Sequence, residues 1–178
     1  MRIPCEGPFK ENNMFTNEHF TDVAQTYMDT VFRVAFSYMK SRADADDITQ
    51  NVLLKLYRYE GDFQSESHLR NWLIRVTVNE CKSAFRSPWR RTEDIEDYVN
   101  SLAMPSQDHS DLLEAVMALP RKYRVVIYLF YYEGYSTREL AQLLSLPEAT
   151  VRTHLARGRE RLRKMLTEAE TYDGQTAF

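Results

Sequence analysis

The stretch Ser136-Thr137-Arg138-Glu139-Leu140-Ala141-Gln142-Leu143-Leu144-Ser145-Leu146-Pro147-Glu148-Ala149-Thr150-Val151-Arg152-Thr153-His154-Leu155-Ala156-Arg157-Gly158-Arg159 decides the architecture. Ser136 followed three residues later by Glu139 is a capping box: each side chain meets the other residue's backbone N–H, opening a short helix that ends near Leu144. Ser145 and Leu146 make a tight turn, and Pro147 stands where a helix's first turn tolerates proline. The helix it opens runs to about Leu166. Ala141 is small where two helices must approach closely, and Leu140, Leu144, Leu146, Val151 and Leu155 can bury the angle between them. This is the layout of a helix-turn-helix.

The longer helix sorts its residues by face. Val151, Leu155, Gly158, Leu162 and Leu166 follow a three-and-four spacing and point inward. Thr150, Arg152, Thr153, His154, Arg157 and Arg161 are left for the outside. Short polar residues and arginines on the first half of a helix suit the major groove. There arginine donates two hydrogen bonds to guanine, and threonine meets a base edge or a phosphate. Arg159, Arg163 and Lys164 are placed for backbone phosphates. A solvated basic face without a ligand is the plainer alternative, but so many cations on one helix are costly without a polyanion.

Charge distribution supports the same reading. The net charge of −3 argues weakly against nucleic acid, yet Leu119 to Leu166 holds ten basic and four acidic residues, a surplus of six positive charges. The remainder therefore carries nine negative charges net. A basic module attached to an acidic remainder is the asymmetry of a nucleic-acid reader.

Upstream, Pro120 opens a helix over Arg121 to Tyr132 that Gly134 ends, and a short helix spans Asp111 to Ala118. Ser87 to Asp108 breaks the pattern with Pro88, Pro105 and an excess of acids, and reads as a linker. Before it lie three amphipathic helices. The first carries Phe20, Val23, Tyr27, Val31, Val34 and Tyr38 on one stripe. The second follows a Ser41/Asp44 capping signal with Ile48, Val52, Leu56 and Tyr59, and Gly61 closes it. The third runs from about Leu69 to Arg86, with Leu69, Trp72, Leu73, Val76 and Ala84 inward. The expected fold is thus all-α, two small helical domains joined by an acidic linker. Its parts are an N-terminal tail (1–16), a first bundle (17–86), a linker (87–110), a helix-turn-helix module (111–168) and a C-terminal tail (169–178).

Other classes are excluded or disfavoured. No apolar run approaches the roughly 20 residues of a membrane span. The first residues lack the apolar core of a signal peptide, so a cytoplasmic protein is expected. Cys5 and Cys81 form no disulfide framework, and no spacing suggests zinc or another cofactor. His19, His68, His109 and His154 are scattered, and no nucleophile sits beside a plausible base, so no enzyme is expected.

Four segments, in this order, resemble the sigma factors of bacterial RNA polymerase, in their extracytoplasmic-function subgroup. They are Asp44-Ala45-Asp46-Asp47-Ile48-Thr49-Gln50-Asn51-Val52; Asn71-Trp72-Leu73-Ile74-Arg75-Val76-Thr77-Val78-Asn79; Leu119-Pro120; and Glu133-Gly134-Tyr135-Ser136 with Thr150-Val151-Arg152-Thr153-His154-Leu155-Ala156-Arg157-Gly158-Arg159. The resemblance spans Tyr27 to Leu166 and implies two domains, regions 2 and 4, that direct promoter-specific initiation. It implies that Asp46, Asp47 and Gln50, with Leu53 or Leu54, dock on the clamp helices of the polymerase's largest subunit. Carboxylates at a helix start suit the helix dipole and can meet arginines of a partner. The flap of the second-largest subunit is a further expected contact. The loop Phe63 to His68 would shape a pocket for a flipped base of the melted minus-10 element, with Arg75, Asn79, Lys82 and Arg86 along the strand's path. Trp72 reads as core rather than as a stacking platform. Arg152, Thr153 and Arg157 fall on positions that read the minus-35 element, with Thr150, His154 and Arg161 on the same face and Arg138 near the phosphates. The sequence departs from the family pattern at Asn51, Ser83, Ser145 and Ala149, where an acid, an aspartate and two glycines are usual. Partners implied are core polymerase and promoter DNA, with no small-molecule substrate and no insertion into membrane; an anti-sigma factor is left open. A stand-alone helix-turn-helix regulator binding operators is the rival reading. Such proteins usually dimerise to span two half-sites, and no dedicated dimerisation helix is evident.

Overall fold

A computed structural model describes residues 17–86 and 110–173. The N-terminal tail with Cys5, nearly all of the acidic linker and the end of the C-terminal tail lie outside the described residues. Seven helices make up the described residues: α1 Asn17–Met39, α2 Arg42–Tyr57, α3 Glu66–Ala84, α4 Ser110–Ala118, α5 Arg121–Tyr131, α6 Thr137–Leu144 and α7 Glu148–Asp173. α7 continues past the expected end near Leu166, so part of the segment expected as a tail is helical.

In the first module α1, α2 and α3 pack pairwise. Ser41 starts α2 by accepting the Asp44 N–H (3.3 Å), and Ala45, Ile48, Thr49, Val52 and Leu56 bury its inner face. α3 begins a turn earlier than its apolar pattern suggested, because the Ser65 hydroxyl accepts the His68 N–H (3.1 Å) and caps it. Its core stripe also differs from expectation. Leu69, Leu73, Ile74, Thr77, Val78 and Cys81 are buried, whereas Trp72, Val76 and Ala84 are only half-buried. Trp72 is drawn to the rim by Tyr59 and Phe63, whose ring centroids lie 4.9 and 5.5 Å from its own. Burial pushes the Cys81 thiol up to about 12, which keeps it protonated and unreactive.

In the second module α5 is the hub. Tyr123 to Leu129 are buried without interruption, so the middle of α5 has no solvent stripe and only its two ends reach the surface. Its neighbours are α4, α6, α7 and also α1 of the first module. The two modules therefore share one continuous apolar core, where the sequence suggested two bodies tied by a linker. Val34 to Tyr38 at the end of α1 are buried in succession for the same reason.

Polar contacts fasten this seam. The Arg124 guanidinium donates to the carbonyls of Ser37 and Tyr38 (3.1 Å) at the end of α1. It also donates to Met117 (3.4 Å) and Leu119 (2.9 Å) at the end of α4. One cation thus satisfies the exposed carbonyls of two helix C-termini. Arg70 of α3 pairs with Glu133 (2.6 Å), the Tyr135 hydroxyl donates to Asn71 Oδ1 (2.8 Å), and the Arg121 guanidinium lies 3.8 Å over the Phe85 ring.

Candidate nucleic-acid interface

The helix-turn-helix forms as its local chemistry requires. Ser136 and Glu139 make both halves of the capping box. Ser145 ends α6 in the left-handed region (φ 57°, ψ 47°), with the Leu146 N–H on the Ala141 carbonyl (3.0 Å) and the Ser145 N–H on that of Gln142 (3.4 Å). This is a Schellman closure, with serine in the left-handed position that glycine most often takes. Glu148 ties the two helix starts together, accepting from the Thr137 hydroxyl (2.8 Å) and from Arg152 (2.7 Å). Where α7 crosses α5 the backbone is close: a Cβ on Gly158 would lie 2.8 Å from Ile127 Cγ1.

On the first half of α7, Arg152, Thr153, Arg157 and Arg161 are exposed, and Arg138 of α6 is exposed beside them. Thr150 is half-buried. The Thr153 hydroxyl bonds back to the Ala149 carbonyl (2.8 Å), leaving its methyl and an oxygen lone pair toward solvent. His154, expected on the outer face, is instead half-buried with its ring edge-on to Tyr123 (5.6 Å), and its Nδ1 is buried without a hydrogen-bond partner. Burial, Lys122 and Arg157 hold its imidazole below the ordinary value, so it is neutral at pH 7. Sequence reasoning missed Lys122 and Tyr123, which the opening of α5 brings beside Arg157; the signal was the run of aromatic and basic residues after Pro120.

The residues expected along a single strand sit on α3 and the loop before it. Arg75, Asn79, Lys82 and Arg86 follow a four-three-four spacing on one face of α3 and its end. Arg75, Asn79 and Arg86 are exposed, and Arg75 stands at a cleft of about 160 Å³ lined also by Tyr135, Glu139 and Leu143 of the second module. Lys82 Nζ reaches the carbonyls of Leu144 (2.9 Å) and Leu143 (3.4 Å) at the end of α6, and burial lowers its pKa. The loop is built around Phe63, stacked on Tyr59 (4.7 Å) and edge-on to the exposed His68 (5.6 Å). His68 Nδ1 also accepts the Gln64 N–H (3.3 Å).

The third cluster is the outer face of α2. Asp46, Asp47 and Gln50 are exposed in its first turns, with Leu53 half-buried. Leu54 (51% exposed) and Tyr57 (53%) follow. Carboxylates lead and apolar side chains trail along the exposed outer face of α2. Separately, Leu112, Val116, Ile127, Tyr131, Tyr132, Arg159 and Leu162 line an apolar groove of about 430 Å³ between α4, α5 and α7. Among the described residues no group of His, Cys, Asp and Glu could hold a metal ion. No helix there is long and apolar enough to cross a membrane.

A helix-turn-helix with a cationic outer face, fused to a bundle that shows an acidic and apolar helix, defines a two-module DNA-reading protein built to act with a larger partner. Residues 23–91 match the profile of sigma-70 region 2 and residues 109–162 that of sigma-70 region 4. The ECF RNA polymerase sigma factor SigW of Bacillus subtilis is 27% identical over 94% of this chain and 100% of its own. The ECF RNA polymerase sigma factor SigM of Mycobacterium tuberculosis is 30% identical over 75% of this chain and 70% of its own. Among solved structures, the sigma factor RpoE of Bartonella quintana, in complex with the anti-sigma factor NepR, aligns with TM-score 0.67 and 24% identity over 84% of this chain and 98% of that one. The chain belongs to the sigma-70 family of RNA polymerase sigma factors, in its ECF group, and directs transcription initiation. A stand-alone operator-binding regulator is not favoured.

Proposed function

We propose that residues 17–86 and 111–168 act as separate readers of one promoter while the chain is bound to core polymerase, with 87–110 as the tether between them. The exposed row Arg152, Thr153, Arg157 and Arg161, with Thr150, Arg138 and the less accessible His154, meets the minus-35 duplex through base edges and phosphates. Phe63, His68, Arg75, Asn79, Lys82 and Arg86 hold the melted minus-10 strand. Engaging that strand requires Lys82 to exchange the carbonyls ending α6 for phosphates, so the seam between α3 and α6 opens when DNA is bound. Asp46, Asp47, Gln50, Leu53 and Leu54 dock on the polymerase clamp, and the groove between α4, α5 and α7 takes the flap. An anti-sigma factor, the kind of partner held by the Bartonella RpoE, joins the expected partners. The chain performs no reaction of its own and works in the cytoplasm, where the polymerase is.

One observation carries the docking assignment: α2 keeps carboxylates and large apolar side chains together on its exposed outer face. Such a face suits a cationic partner surface with apolar contacts at its centre. The double variant Asp46→Lys, Asp47→Lys should retain its helical circular dichroism and lose co-purification with core polymerase. Normal co-purification would overturn the assignment.

A further inference from the structure

Sequence position groups Arg159 with Arg163 and Lys164 as a phosphate contact, but the structure turns it toward the end of α5. On a helix of 3.6 residues per turn, a residue two positions from both Arg157 and Arg161 lies roughly 160° round from each. There the Arg159 Nε–H donates to the Tyr131 hydroxyl (2.7 Å), and its guanidinium lies 5.6 and 5.7 Å from the ring centroids of Tyr131 and Phe130. Arg159 also lines the apolar groove between α4, α5 and α7, beside Leu112, Tyr131, Tyr132 and Leu162. Leu112, Tyr131 and Tyr132 are 44, 55 and 44% exposed, so the groove is open to a partner. Arg159 is the one charged residue of that lining, and no carboxylate among the described residues forms an ion pair with it. With Nε held by Tyr131, the two terminal nitrogens remain as a parallel pair of donors, the match for a carboxylate. Two rings and a hydroxyl already fix the side chain, so less rotamer entropy is lost when the fork pairs. An apolar groove with a single preset cation suits an amphipathic helix that carries an acid beside its apolar anchors.

We infer that Arg159 is a specificity determinant of the partner groove: it recognises a carboxylate on the flap helix whose apolar side chains fill the space between α4, α5 and α7. This rests on the reading of that groove as the flap site, and it removes Arg159 from the DNA contacts. One helix then serves two partners, with Arg157 and Arg161 turned to the duplex and Arg159 to the polymerase. A helix with a lysine or arginine at the matching place is rejected by like charge.

The test measures the affinity of the full chain for core polymerase, intact or lacking the flap tip helix. It compares the unmodified chain, Arg159→Glu and Leu112→Asp, with circular dichroism reporting the fold of each. Arg159→Glu should bind intact core about tenfold more weakly and bind the core without the tip as the unmodified chain does. Flap helices with one Asp or Glu at a time changed to Lys then follow. One of them should weaken binding of the unmodified chain and restore binding of Arg159→Glu, a rescue that a merely structural arginine would not show. Should Arg159→Glu lose helical signal, Arg159→Gln takes its place, and the same flap change should cost it less than it costs the unmodified chain. Equal losses on both forms of the core, or a complete set of flap changes without rescue, would overturn the inference. If Leu112→Asp weakens binding to intact core and Arg159→Glu does not, the groove remains the flap site and the inference alone fails. If Leu112→Asp binds intact core normally, the flap reading falls and the inference falls with it. A dimer of the free chain that Leu112→Asp dissolves, seen by sedimentation, would give the groove to a second copy and overturn both.

Discussion

Ser145 and His154 show what single residues contribute to the helix-turn-helix. Ser145 sits at φ 57° because the Schellman closure of α6 demands a left-handed residue there, and an L side chain in that region crowds the following carbonyl. Glycine would keep both closing hydrogen bonds and lose the crowding. Ser145→Gly should therefore stabilise the protein by about 0.5–1 kcal/mol, seen as a melting temperature roughly 2 °C higher. A lower melting temperature would show that the serine hydroxyl, and not backbone geometry, holds the turn. His154 makes a pH-dependent contribution of predictable sign. Burial, Lys122 and Arg157 all disfavour its protonated form, so its pKa in the folded chain lies below the ordinary 6.5. As pH falls through 6.5 the unfolded chain takes up a proton that the folded chain refuses. Stability thus drops toward acid in this window and is untouched above it. Between pH 7.5 and 5.5 the thermal midpoint of the unmodified chain should fall further than that of His154→Gln; equal falls would rule this origin out.

Among the elements, α5 and α7 are coupled through a glycine. Gly158 in mid-helix sacrifices about 1 kcal/mol of helix propensity, and the reason lies across the crossing. An added Cβ would stand 2.8 Å from Cγ1 of Ile127, a buried β-branched side chain with little freedom to turn away. Overpacking of this kind costs about 1–3 kcal/mol, more than alanine's propensity returns. Gly158→Ala should lose about 1 kcal/mol net, read as a lower urea midpoint with an unchanged slope; a gain in stability would mean the crossing can widen freely. The elements also show which features were legible beforehand. Ser136 with Glu139, Pro147, and the inward spacing of Val151, Leu155 and Gly158 carry their own local chemistry, and the structure places them as expected. The start of α3 was missed because Ser65 caps it ahead of the first core leucine. Its buried stripe was misplaced because Trp72 answers to Tyr59 and Phe63 in another segment, a contact that spacing cannot register. His154 was placed outward on helical phase alone, and a ring from α5 turned it inward.

For the whole molecule, the joining of two modules into one core was readable only in part. The run Tyr123-Arg124-Val125-Val126-Ile127-Tyr128-Leu129-Phe130 has no polar face, which marks a helix enclosed on all sides, but the sequence does not say that α1 supplies the missing wall. Arg124, the one charge in that run, explains how the seam is specified. It is buried without a carboxylate partner, and the carbonyls ending α1 and α4 take that place. Burial and Arg121 bring its pKa down to about 10, so it remains cationic at neutral pH and keeps donating to both helix ends. An apolar replacement would relieve the buried charge but leave the closing carbonyls of two helices without donors. Unsatisfied buried groups cost more than the bond itself contributes. Arg124→Met should therefore destabilise the chain by about 2–3 kcal/mol and enlarge the radius of gyration in small-angle scattering as the modules part. Arg124→Lys should fail to restore either quantity, because a single ammonium cannot span two helix ends as a planar fork does. Full rescue by lysine would show that charge alone closes the seam. An unchanged radius in Arg124→Met would show that the apolar core holds it without the arginine.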